Sequence, residues 1–442
     1  MPPDLKTETR LTLLRLAAIV AVSFGLTLVS STLEPALLGS KVIALVPERS
    51  ADAVVFGAVT FGGLLVAVFA QPLIGAWSDR TQTRLGRRLP FMLAGAAGVV
   101  VGLTLIAAAD SITLLVAGLL LTQLSTNSVL ASWQPIIAEG VPQAQRGLAS
   151  GFKAGFDLLA AVVGRLAAAE LVSLQPEWGS AALYATISVP IIGLLLTLLV
   201  TVWAMNRERT TPKPEASLPI ASALRQAFTV DVRARPLFGW WFANRVLFWA
   251  GMIGSSVFLL FAARDVFGMS EAEAQRLIGR VIVVLGAALG LVILPAGWLA
   301  DRVGRRPMVI VAGLMAASGA VLAVLNFNLI LPVAILIGAG TGIYLSSSLA
   351  LINDIVPKVD AARYLGVANI ATASGSALAR LGGGALISGL NGATGSTVVG
   401  YQALYAVVAA LFLLSVVVMV LAPTTHPTSS PSRARASATA AD

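Results

Sequence analysis

Apolar residues run in long blocks separated by short polar intervals, and block length is the first informative quantity. A helix rises about 1.5 Å per residue, so about 20 apolar residues match the hydrocarbon thickness of a bilayer. On that measure the chain divides into twelve predicted helical spans, at 14–37, 53–76, 89–109, 112–137, 148–172, 181–203, 237–261, 274–297, 306–326, 329–352, 365–389 and 400–421. Residues 204–235 form the longest polar interval, with Pro212, Pro214 and Pro219. They divide an amino-terminal bundle of six helices (1–203) from a carboxy-terminal one (236–422). The tail, 423–442, is rich in Ser, Thr, Ala and Pro and is expected to be disordered. The predicted fold class is therefore all-α integral membrane, with two bundles joined by a linker loop.

Polar residues inside the blocks recur at helical spacing. Span 1 carries Ser23, Thr27, Ser30, Ser31 and Glu34 on one face, and span 4 carries Gln123, Asn127 and Gln134 with Trp133 alongside. Span 7 carries Trp241, Asn244, Arg245 and Trp249; span 10 carries Thr341, Tyr344, Ser347 and Ser348. Spans 3, 6, 9 and 12 have no charge across their cores. A polar side chain facing lipid goes unsatisfied, so these faces are expected to line a wet cavity. For any single Ser or Thr, bonding back to its own helix is the competing explanation.

Composition strengthens this picture. Apolar residues make up 57% of the chain and charged residues 12%, and mean hydropathy is +0.87, whereas soluble domains carry about 25% charged residues. The net charge of +9 does not point to nucleic acid, because the basic residues sit in short clusters between apolar runs. Most fall in one alternate set of loops, while the other set holds Lys41, Arg49, Arg264, Arg276 and Arg280. That bias predicts both termini on the cytoplasmic side of the plasma (inner) membrane. The polar, basic start leads into an apolar run that reads as a retained first span. Cysteine is absent and the single histidine is His426 in the tail. No span gathers a nucleophile with a base, a set of metal ligands or a phosphate-binding loop, so neither an enzyme nor a bound metal or cofactor is expected.

The two halves repeat each other. After span 2 comes Gly75-Ala-Trp-Ser78-Asp79-Arg80, then Gly86-Arg87-Arg88; after span 8 comes Gly297-Trp-Leu-Ala300-Asp301-Arg302, then Gly304-Arg305-Arg306. Spans 4 and 10 end on Glu139-Gly-Val-Pro142 and Asp354-Ile-Val-Pro357. Gly75 and Gly297 are expected to let helix ends approach closely, and Asp79 and Asp301 to sit at a neighbouring helix N-terminus. Arg80, Arg88, Arg302 and Arg306 are expected to reach Glu139 and Asp354, forming a cytoplasmic gate. The alternative for the arginines is headgroup anchoring.

These loops resemble the signature of the major facilitator superfamily. The first copy, Ser78-Asp79-Arg80 through Gly86-Arg87-Arg88-Leu-Pro90-Phe91, is similar to the loop of sucrose transporters and of the glycoside–pentoside–hexuronide:cation symporter group. The resemblance implies the major facilitator fold, spans 1, 4, 7 and 10 around the cavity, and alternating access by a monomer. The implied function is proton-coupled symport of a sugar, glycoside or similar hydroxylated solute. The alternative is proton-coupled efflux of drug-like or metabolic compounds, and a membrane enzyme or channel ranks last. Members of the melibiose type place acids in span 2 for sodium; Val54 to Trp77 has none, which favours protons.

Charge within the spans identifies the coupling candidates. Asp157 lies near the middle of span 5, with Arg165, Arg245 or Arg380 as the expected partner; Glu34, before Pro35, is the second candidate. The competing readings are a permanent ion pair for Asp157 and snorkelling for Glu34. The substrate cavity is expected at Thr27, Ser30, Gln123, Asn127, Trp133, Arg165, Asn244, Arg245, Trp249, Tyr344 and Arg380.

Overall fold

The computed structural model describes residues 10–205, 236–356 and 361–423. Most of the predicted linker and nearly all of the predicted tail lie outside them. The described chain is helical. In order, its helices are α1 (Leu13–Val20), α2 (Val22–Thr32), α3 (Leu38–Leu45), α4 (Asp52–Arg80), α5 (Leu89–Ala108), α6 (Ile112–Gly140), α7 (Arg146–Ser173), α8 (Gln175–Trp178) and α9 (Ser180–Ala204). After the linker come α10 (Pro236–Val257), α11 (Leu259–Phe267), α12 (Glu271–Val303), α13 (Arg305–Leu325), α14 (Ile330–Ile355), α15 (Ala361–Thr394) and α16 (Val399–Leu421).

Among the described residues nine helical segments are long and apolar enough to cross a membrane, or ten when the bent pair α10–α11 is included. The predicted spans 148–172 and 365–389 correspond to α7 and α15, continuous helices of 28 and 34 residues that fall outside that measure. Lys153, Asp157, Arg165 and Glu170 all lie on α7.

Two predicted spans are interrupted, each for a local reason. The first breaks at Glu34, whose backbone is extended (φ −115°, ψ 136°) inside the wider turn Leu33–Leu37. The ring of Pro35 disfavours helical geometry at the preceding residue. The seventh bends by 49° between α10 and α11. Some helix starts are capped by a side chain: the Ser111 hydroxyl accepts from the Leu114 amide, and Ser270 and Glu273 form a reciprocal capping box.

Helices α1 to α9 pack largely among themselves, with α5 along α6 and α2 between α7 and α9. Helices α10 to α16 do likewise, with α14 against α12 and α13, and α10 against α15 and α16. The principal seams between these groups are α4 with α15 and α7 with α12. Glycine makes the α4–α15 approach possible. A Cβ at Gly384 would lie 2.6 Å from the Ala53 carbonyl, and one at Gly57 would collide with the Arg380 carbonyl. On the second seam Gly279 faces Ala169 and Gly286 faces Val162. All these contacts lie toward one end of the molecule. Toward the end that carries the repeated loops, Gly147, Gly151, Gly155 and Gly290 have no described neighbour within 4 Å of where a Cβ would be.

Candidate functional site

The repeated loops turn on glycines that take positive φ, 88° at Gly86 and 105° at Gly304. Each turn aims the following arginines back at helix ends. Arg88 donates to Glu139 Oε1 at 2.6 Å and to Asp79 Oδ1 at 3.2 Å, and Arg87 pairs with Glu139 Oε2 at 2.8 Å. Beneath this loop lies a cavity of about 510 Å³, bordered by Thr83, Arg87, Arg88, Glu139 and Met205. In the second copy Arg305, rather than Arg306, pairs with Asp354, and its other nitrogen lies 3.7 Å from Asp301. Arg306 instead donates to the carbonyls of Met419, Val420 and Ala422, capping the end of α16. Arg302 stacks on Trp298 at 3.8 Å, and Arg80 is exposed at the end of α4. These ion pairs join helices of the same group. The close approach expected at Gly75 is not made, since its nearest neighbour would be Ala131 at 4.0 Å; Gly297 does approach Ser346, at 2.9 Å.

Deeper in the molecule, α2 carries Thr27 and Ser30, and Glu34 follows at the break beyond its end. Thr27 donates its hydroxyl to Asp157 Oδ1 at 3.2 Å, and Phe24 meets Phe156 edge to face at 6.5 Å. The partner of Asp157 is Lys153, one helical turn earlier, at 2.6 Å. None of the three expected arginines takes that place. Arg165 lies eight positions along the same helix, too far for a direct pair, and Arg380 is engaged elsewhere. It bonds to Glu34 at 2.6 Å, linking the break in the first span to α15. Arg165 borders a small cavity of about 30 Å³ with Ser255, Ser256 and Tyr405.

Several expected cavity residues spend their polar atoms inside the packing. Trp133 is fully buried and donates to the Ile19 carbonyl at 2.8 Å. Tyr344 donates to Asn244 Oδ1 at 3.0 Å, Asn244 donates to the Ser415 carbonyl at 2.8 Å, and Phe248 stacks on Tyr344. Asn127 bonds back to the Gln123 carbonyl of its own helix. Trp133, Asn244 and Tyr344 therefore tie helices together in this conformation. Thr27, Ser30, Gln123 and Trp249 keep some exposure.

One cluster escaped sequence reasoning. At the end remote from the repeated loops, Arg264 pairs with the buried carboxylates of Asp52 and Asp265. Asp265 also accepts from Arg49 at 3.1 Å and from the Tyr401 hydroxyl at 2.6 Å. Gln275 donates to the Ser40 hydroxyl at 2.8 Å. Asp52–Arg264, Arg49–Asp265 and Ser40–Gln275 all cross between the two groups of helices. The available signal was the adjacent Arg264-Asp265 and an acid opening α4, both of which read as ordinary loop charge.

A multi-pass helical protein with a seam closed at one end, and with charge held at depth, has the build of a membrane solute carrier. The family model for MFS/sugar transport proteins matches residues 46–363, and the chain belongs to that family of major facilitator transporters; it is not an enzyme. A triacylglyceride transporter of Mycobacteroides abscessus is 26% identical over 307 residues, 59% of this chain and 57% of that protein. The human proton-associated sugar transporter A is 45% identical over 51 residues, 12% of this chain and 7% of that protein. The chain thus spans little more than half of the first relative and a small part of the second. A crystal structure of the nucleoside transporter NupG superposes with a TM-score of 0.68 at 17% identity, covering 93% of this chain and 100% of that one.

Proposed function

We propose that the chain is a proton-coupled symporter of a sugar, glycoside or similar hydroxylated solute, working by alternating access. In this reading twelve helices cross the bilayer as two related bundles, 1–203 and 236–422, with the repeated loops and both termini in the cytoplasm. The observation that carries it is the asymmetric seam: α4–α15 and α7–α12 are packed at one end, whereas Gly147, Gly151 and Gly155 of α7 and Gly290 of α12 are uncovered toward the loop end. That arrangement fits an inward-open state. Thr27, Ser30 and Gln123 offer hydroxyl and amide groups to a solute, and the family description supports a sugar.

Asp157 and Glu34 are the proposed proton carriers. Each is a carboxylate at membrane depth held by one cation, so exchanging a proton for that cation is chemically accessible. Asp157→Asn is expected to lose accumulation driven by a pH gradient in proteoliposomes while retaining counterflow exchange. Normal accumulation by that variant would falsify the assignment. The uptake screen compares disaccharides and monosaccharides with and without the gradient.

A second reading, proton-coupled efflux of drug-like or metabolic compounds, is favoured by the relative from Mycobacteroides, a triacylglyceride transporter. It predicts that the same vesicles move lipid or cationic drugs outward and leave sugars untouched.

A further inference from the structure

Arg245 stands nine residues into α10, about 13 Å from its start, and only 7% of it is exposed. Its Nε donates to the Ala368 carbonyl at 3.2 Å and to the Thr372 hydroxyl at 3.0 Å, both on α15. The guanidinium lies 5.2 Å from the ring centre of Trp241 and 5.9 Å from that of Trp249. Its Nη1 is buried without an acceptor among the described residues, and so is the indole Nε1 of Trp249, one turn away.

The charge is also uncompensated. Lys153 holds Asp157, Arg380 holds Glu34, and Arg264 holds Asp52 and Asp265. Arg165 lies within electrostatic reach of Glu34. No carboxylate among the described residues pairs with Arg245. Buried donors normally find acceptors, and buried cations normally find anions. A water molecule answers the first need and leaves the second.

The stripe of α10 that carries Arg245 leads toward the contact between the two groups of helices. Met252 and Ser256 continue the stripe of Arg245 and Trp249 at helical spacing, and Ser256 shares the small cavity with Arg165 of α7. On the opposite side of α10, Phe248 stacks on Tyr344 of α14, and Gly251 is pressed against Phe412 of α16.

We propose that Arg245, with Trp241 and Trp249, is the binding site for an anionic group on the transported solute, a carboxylate carried next to an apolar or planar ring. A guanidinium receives a carboxylate through two parallel hydrogen bonds, and the indoles cover the adjoining ring. This rests on the reading of the chain as a solute transporter but not on the solute being a sugar. It narrows the expected cargo to acidic sugars or to aromatic and aliphatic acids.

The test uses the full chain in detergent at neutral pH with two matched pairs of probes: phenyl β-D-glucuronide against phenyl β-D-glucoside, and benzoate against benzyl alcohol. Calorimetry and thermal shift read binding. In each pair the anion is expected to bind about 10- to 100-fold more tightly than its neutral partner. Arg245→Gln is expected to abolish that preference, and Arg245→Lys to keep part of it. Equal binding within the pairs, no binding of either anion, or an undiminished preference in Arg245→Gln overturns the site. Should Arg245→Gln fail to fold, Trp249→Phe removes only the second donor and is expected to weaken anion binding several-fold; unchanged affinity there overturns the site equally. Benzoate binding without glucuronide binding keeps the site and rejects the sugar reading. Glucoside binding without either anion rejects the site and leaves the sugar reading standing.

Discussion

Gly86 and Gly304 show how a repeated motif encodes backbone before it encodes charge. Both sit at positive φ, where a Cβ meets the following carbonyl, and the arginines reach their targets only because the chain turns there. Gly86→Ala and Gly304→Ala are each expected to destabilise the protein by about 1–2 kcal/mol, read as a lowered Tm in detergent. Gly151→Ala is the control: it lies in a helix with open space around it, so its Tm is expected to hold or rise. A Gly86→Ala protein as stable as the parent would show that the turn does not depend on glycine. The repeat was legible because both copies carry Gly-x-x-x-Asp-Arg and then Gly-Arg-Arg in the same order, although the first has four extra residues, Thr81 to Arg84, between them. Which arginine meets which acid was not. Arg305 and Arg306 are neighbours that point to different helix ends, and Glu34 meets Arg380 across 346 positions. Lys153 was one turn from Asp157, yet its nearness to a helix start made it read as loop charge.

At the scale of helices, hydropathy marks nine spans among the described residues, or ten with the bent pair, because lipid demands long apolar runs whatever their neighbours. What it missed was continuity. The break at Glu34 follows from the next residue being proline, while the bend after Val257 has no such marker in the sequence. Faces were harder to assign: Trp133 and Tyr344 lie on polar stripes, but both bond to neighbouring helices. The seams depend on glycine rather than on side-chain chemistry. Gly57→Val is expected to prise α4 from α15, because the Arg380 carbonyl occupies the space its side chain needs. Since the chain lacks cysteine, a single cysteine at Ser388 reports directly on that seam. A membrane-impermeant maleimide should label it several-fold faster in Gly57→Val than in the parent. Gly62→Ala, where the nearest neighbour is Leu120 at 3.9 Å, should label at the parental rate. Equal rates in all three would mean that the α4–α15 contact does not hold this end closed.

For the molecule as a whole, the closed end is held by charge as well as by close packing, and this makes the conformational balance adjustable. The side chain of Asp52 is only 3% exposed and that of Asp265 only 5%. Removing Arg264 therefore strands Asp52, which water cannot reach, while Asp265 is still held by Arg49 and Tyr401; breaking such a buried pair typically costs about 3–5 kcal/mol. The penalty falls on the conformation in which the two groups of helices meet at this end. Separating them readmits water and relieves it. A bias of about 3 kcal/mol changes a two-state ratio by more than about 100-fold, enough to reverse a modest preference. In Arg264→Gln, spin labels at Gly151 on α7 and Leu294 on α12 should therefore move closer, as the loop ends come together. Labels at Glu48 and Arg276, both exposed near the opposite end, should separate. The swapped pair Asp52→Arg with Arg264→Asp should recover part of the parental distances, because it restores one cross-group attraction and leaves Asp265 facing a like charge. High salt should mimic the effect only weakly, since buried pairs are poorly screened. If Arg264→Gln keeps both distance distributions of the parent, the ion pairs are passive and close packing alone sets the state.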